Sequence, residues 1–195
     1  MPSARATHPQ SIQEALGLTL LGVGTLLFLA LISYHPRDVP TWFFLNSGVP
    51  VNKPAQDFIG PLGAIAACVA YSFLGAAAYL GVALLLSGGG IKLLRPGLHL
   101  SSRLPWAIAF ILSGACLAHF LPVTWLGATE LNLAGNGGWV GKWMGETLLM
   151  SALGSVGAII VLLLIYVVSL ILMTGVHPMQ VLREALAAPG RLALK

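Results

Sequence analysis

The chain has 195 residues, 57% of them hydrophobic and only 8% charged, with a formal net charge of +4. An ordinary soluble domain carries roughly 25% charged residues, and a water-soluble fold of this size cannot hide so much apolar surface. The composition excludes a soluble enzyme and indicates an integral membrane protein, with the positive surplus explained by topology rather than by nucleic acid.

Residues 1–13 form a polar tail, and the first apolar run follows at 14–34. A signal peptide is the competing reading of Glu14–Ser33. The run is longer than a typical signal core and has no small-x-small cleavage site before Tyr34, so it is expected to stay as a first span. Prolines 36, 40, 50 and 54 then keep the 35–57 loop from continuing as helix, and that loop is the expected recognition surface on its side of the membrane.

The second apolar run covers 59–87 and is expected to stop at Gly88-Gly89-Gly90. Gly88 to Lys92 resembles a phosphate loop at first sight. It lacks the G-x-x-x-x-G-K-[ST] frame, so it is read as a helix stop. Pro96 and Pro105 punctuate the next loop, and a third run covers 104–121.

Before the last run, 139–149 is too short to cross a bilayer. At 100° per residue, Gly138, Gly141, Lys142, Gly145 and Glu146 share one face, opposite Val140, Trp143, Met144 and Leu148. A short interfacial helix is expected, anchored by Trp139 and Trp143 and bending into the last span near Gly154. Lys142 and Glu146 are four apart and positioned to pair. The last run covers 150–174, and residues 176–195 form a tail. The expected fold is therefore all-α: a polytopic membrane protein with four transmembrane helices plus a short interfacial helix before the last span. Each run meets or approaches the ~20 residues that cross ~30 Å of hydrocarbon.

With four spans, the amino terminus, the 88–104 loop and the carboxyl terminus share one side. That side holds seven basic residues: Arg5, Lys92, Arg95, Arg103, Arg183, Arg191 and Lys195. The other holds three, Arg37, Lys53 and Lys142, together with Asp38, Asp57, Glu130 and Glu146. The asymmetry predicts cytoplasmic termini, with Lys92, Arg95, Arg103 and Arg183 as topology determinants.

Chemistry-bearing residues are sparse. The histidines at 8, 35, 99, 119 and 177 have no metal-ligand spacing, and Cys68 and Cys116 lie in apolar runs as small buried residues. No metal, cofactor or catalytic residue is expected. The span interiors carry no charge, which counts against a small-solute transporter or channel, the alternative reading, for which only Thr19, Thr25, Ser72 and Ser113 are candidate groups. What remains is helix packing through small residues, above all the ladder Gly138, Gly141, Gly145, Gly154 and Gly157. Its Gly141–Gly145 face is the one expected to reach a partner, with membrane lipids around the rest.

Three stretches resemble the amino-terminal four-span membrane domain of the FtsK/SpoIIIE DNA translocases. The first is the exit Leu31-Ile32-Ser33-Tyr34-His35-Pro36-Arg37-Asp38 with Trp42 shortly after. The second is Asp57, Gly60 and Gly63, a departure from the family's Asn-x-x-Gly-x-x-Gly. The third runs from Gly137-Gly138-x-x-Gly141 through Leu153-Gly154-x-x-Gly157-Ala158 to Thr174-Gly175-Val176. The resemblance covers roughly residues 12–178. It implies a domain that anchors a hexameric, ATP-driven DNA pump in the bacterial inner membrane at the division septum and helps recruit division proteins. It therefore implies a homo-oligomer acting in cell division and chromosome partition. Family members continue into a motor with Walker motifs and a winged-helix DNA reader, and neither is found in these 195 residues. A separately encoded ATPase motor and division proteins are the implied partners, and no direct DNA binding is expected of this chain.

Overall fold

The computed structural model describes residues 8–46, 50–52, 54–94, 100–121 and 135–175. Among them the regular structure is helical, with no strand. Helix α1 (His8–Ile32) has 25 residues and is about 37 Å long, more than the ~30 Å hydrocarbon core requires. Within it the Thr19 hydroxyl donates to the Ala15 carbonyl at 2.8 Å, one turn back.

The second span differs from the sequence expectation at both ends and in the middle. Helix α2 (Pro61–Leu74) starts on a proline, tolerated where the first N–H has no partner in the helix. It breaks at Gly75, whose φ of 58° and ψ of −134° no other residue adopts easily, and a 3-10 turn over Gly75–Ala77 leads into α3 (Ala78–Leu94). The break thus lies at Gly75, and the glycine triplet expected to stop the helix sits inside α3. The physical reason is the surroundings: in hydrocarbon the backbone has no water to bond to, so glycine continues the helix and serves as a contact surface.

Helix α4 (Leu104–His119) follows a 3-10 turn at Leu100–Arg103 and is the shortest crossing, about 24 Å of α-helix. The last stretch is helical from Gly138 to Thr174: α5 (Gly138–Val140), a π-helical segment (Gly141–Met150) and α6 (Ser151–Thr174). The 139–149 segment is therefore joined to the last span without a loop. The one break in the dihedrals is Gly154, at φ 70° and ψ 173°. Three stretches, Ser11–Ile32, Pro61–Leu94 and Gly138–Thr174, are long and apolar enough to cross a membrane, and α4 is a shorter apolar helix. The protein is a multi-pass membrane protein.

Two antiparallel hairpins make up the bundle. In the first, α1 runs against α3 and then α2, with Gln13 beside Lys92 and Gly24 beside Leu86 of α3, and Leu31 beside Tyr71 of α2. In the second, α4 runs against α6, with Arg103 at Thr174 and Phe110 stacked on Tyr166 at 4.4 Å. The first hairpin's core is built from Ala30, Leu31, Ala67, Tyr71, Ala78 and Val82, half of them alanines that let helices approach closely without a hydrophobic drive. Leu18, Val156 and Leu164 are each more than 60% exposed, as lipid-facing side chains are.

Candidate functional site

The loop between α1 and α2 is organised by two buried carboxylates. A 3-10 turn at Pro36–Asp38 turns the chain immediately after α1 and buries Asp38 to 1% exposure. The Asp38 carboxylate then accepts three hydrogen bonds: from Asn52 Nδ2 at 2.8 Å, the Gln56 N–H at 2.9 Å and the Asp57 N–H at 2.8 Å. It ties both halves of the loop together, and bonds to an ionised acceptor are the stronger kind. The Ser33 hydroxyl adds a second tie by accepting the Phe58 N–H at 3.1 Å while donating to Leu29.

Asp57 closes the clamp onto α2. Its Oδ1 accepts the Ile59 N–H at 2.8 Å, a negative charge at the positive end of the helix dipole. Gly60 turns with φ 76°, and Gly63 leaves the space that Asp57 Oδ1 occupies. The Asp57, Gly60 and Gly63 pattern is thus one device for starting α2. Tyr34 packs on Tyr71 with centroids 5.3 Å apart, and burial pushes its phenol pKa well above the ordinary range, aided by Cys68. On the outside of this clamp Trp42, Phe44, Phe58 and Leu62 are each more than 70% exposed.

The glycine ladder divides into two groups. Gly137, Gly138, Gly141 and Gly145 are buried against the rest of the chain. A Cβ on Gly138 would lie 2.7 Å from the Gly75 nitrogen, and one on Gly141 would lie 2.7 Å from the Ala115 carbonyl oxygen. Gly145 faces Cys116 at an ordinary 3.4 Å. The same junction uses the Gly75 break, because the Ala76 N–H donates to the Asn136 carbonyl at 2.7 Å. The Gly141–Gly145 face, expected to reach a partner, is therefore spent on α4 of the same chain. This follows from α4 ending at His119, level with the start of the last helical stretch.

Gly154 and Gly157 behave differently. A Cβ on Gly154 would meet nothing within 4 Å, and one on Gly157 would meet only Leu153 of the same stretch. Neither packs on another described helix. Gly154 supplies its positive φ, which gives the bend expected near that residue. Glu146 lies 3.1 Å from His119 across to α4, and among the described residues it has no ion pair with Lys142. Trp139 and Trp143 stack in parallel at 5.9 Å, both exposed, as residues of an aromatic belt are.

Lys92 and Arg103 both lie at the opposite end of the bundle. Lys92 Nζ donates to Gln13 Oε1 at 2.9 Å, and Arg103 Nη1 donates to the last carbonyls of α6, Met173 at 2.9 Å and Thr174 at 3.3 Å. Gly175 caps that helix in the left-handed conformation, its N–H bonded to the Ile171 carbonyl. Arg103 therefore neutralises the negative end of α6. Arg95 and Arg183 lie outside the described residues.

Sequence reasoning missed Gly75, Asn136 and the buried role of Asp38. Only Asp38 carried a signal, as the aspartate two residues after Pro36, the first proline beyond α1.

A family model described as the 4TM region of DNA translocase FtsK/SpoIIIE matches residues 10–186. Comparison with curated proteins and with solved structures gave no match.

Proposed function

The chain belongs to the family of the FtsK/SpoIIIE 4TM region, and from that premise we propose that it anchors and oligomerises a DNA-translocating motor in the bacterial inner membrane, in cell division and chromosome partition. The match over residues 10–186 is the observation that carries this reading. The motor's ATP chemistry lies outside the helices described above, so the role of these residues is mechanical: to hold position, side and stoichiometry.

Two features of the bundle support the reading. Lys92 and Arg103 gather at the end where α6 terminates, and Asp38, Asp57 and Glu146 lie towards the other. By the positive-inside rule the first end is cytoplasmic, where a motor would meet DNA. The clamped 33–60 loop then stands on the periplasmic side with its exposed aromatic residues turned to division proteins. Hexameric assembly is the form this reading adopts, with α6 offering its outer face to neighbouring subunits.

A fluorescent fusion in dividing cells of the source bacterium tests the proposal. Concentration at the septum late in constriction is expected, and an even distribution around the envelope at every stage would count against it.

A further inference from the structure

The two hairpins do not close fully on each other. Between α3 and α4 runs a groove of about 690 Å³, within the ~300–1,000 Å³ usual for ligand sites. Leu84, Leu85 and Ile91 line one wall and Ala107, Ile108 and Ile111 the other. Gly81 lies in the groove with open space around it, since a Cβ there would meet nothing within 4 Å. Lys92 and Arg103 both line the same groove at the end where α3 stops and α4 begins.

We propose that this groove binds one anionic phospholipid, its acyl chains along the α3/α4 seam and its phosphate held between Lys92 and Arg103. Length supports this occupant. From Ala78 to Lys92 the groove follows about 21 Å of helix, enough for an acyl chain of one leaflet, which is about 15 Å deep. Charge supports it as well. Both cations sit at one mouth, and among the described residues neither is within ion-pair distance of a carboxylate. A basic pocket between transmembrane helices at headgroup depth is a site for anionic lipid. A zwitterionic lipid would bring an ammonium group to the same two cations and so be disfavoured. The apolar walls also suit tails better than a polar solute in transit. The lipid would bridge the α1/α3 and α4/α6 hairpins, which otherwise touch little along this seam.

Native mass spectrometry of the full chain in mild detergent tests the site, with phosphatidylglycerol and phosphatidylcholine of matched tails added in turn. The wild type is expected to retain phosphatidylglycerol at least five-fold more than phosphatidylcholine. Lys92→Gln should bring that ratio close to one. Gly81→Leu, whose Cβ meets nothing within 4 Å, extends a side chain into the groove and should lower retention of both lipids several-fold, with unchanged helical content by circular dichroism. Equal retention of the two lipids by the wild type would overturn the proposal. So would a Gly81→Leu protein that keeps its helices and binds lipid as the wild type does.

Discussion

Gly17 and Gly89 bring the backbones of α1 and α3 into contact: a Cβ on Gly89 would lie 2.9 Å from the Gly17 carbonyl oxygen, and one on Gly17 would lie 3.2 Å from that of Gly89. The middle glycine of a triplet that reads as a helix stop is thus a point of closest approach. The Leu21 and Leu93 side chains are met as well, but at Gly89 two of the three nearest atoms, the Leu21 nitrogen and the Gly17 oxygen, are main chain and cannot yield without shifting α1.

Gly89→Val should therefore destabilise the detergent-solubilised protein by about 1–3 kcal/mol, the usual cost of forcing atoms into a packed site. Gly90→Ala, where nothing lies within 4 Å, should be neutral or stabilising by up to ~1 kcal/mol through helix propensity. Thermal unfolding followed by circular dichroism separates the two. Equal effects would mean the hairpin does not close at Gly89.

The ladder predicts a graded series. Gly141→Ala pushes a methyl against the Ala115 carbonyl and should cost about 1–3 kcal/mol. Gly145→Ala meets Cys116 at ordinary contact and should change stability by no more than about 1 kcal/mol. Because this face packs on α4 of the same chain, the Gly141 effect should appear as reduced stability at every protein concentration. Loss of oligomers with unchanged monomer stability would instead place the face between subunits.

Asp38→Ala leaves three donors without their acceptor, those of Asn52, Gln56 and Asp57. A buried unsatisfied group costs about 1–3 kcal/mol, so the loop should open before the bundle unfolds. Limited proteolysis should cut the variant between 39 and 56 under conditions that spare the wild type, while helical content holds. Asp38→Asn should be intermediate, since its amide oxygen still accepts.

Topology is checked by single cysteines at exposed positions on opposite ends, Trp42→Cys and Leu94→Cys, 76% and 85% exposed. A membrane-impermeant maleimide added to intact spheroplasts should label the first and not the second until the membrane is broken. The native Cys68 and Cys116 are buried and serve as the unlabelled background. The reverse pattern would invert the proposed orientation.

The sequence made the apolar segments, the proline-rich loop and the bend at Gly154 legible, because hydropathy and backbone freedom are local properties. The Ser33 to Asp38 exit and the Asp57, Gly60 and Gly63 start could be recognised as patterns, but their meaning is tertiary: Asp38 acts on residues 14 to 19 positions away. Gly75 and Gly89 illustrate the same limit. Both are glycines within one apolar region, yet one breaks the helix and the other continues it. The difference lies in what packs beside them, the Asn136 carbonyl in one case and α1 in the other. The glycine ladder likewise announced close packing without saying that Gly141 and Gly145 face α4 while Gly154 and Gly157 face no other described helix.

The most direct test is a mild-detergent purification of the tagged protein from its own cells, cross-linked beforehand and analysed by mass spectrometry. The account predicts an ATPase with Walker motifs cross-linked at the Lys92–Arg103 end, together with division proteins. Recovery of self-oligomers alone, with no ATPase at any cross-linker length, would contradict a role in a DNA translocase.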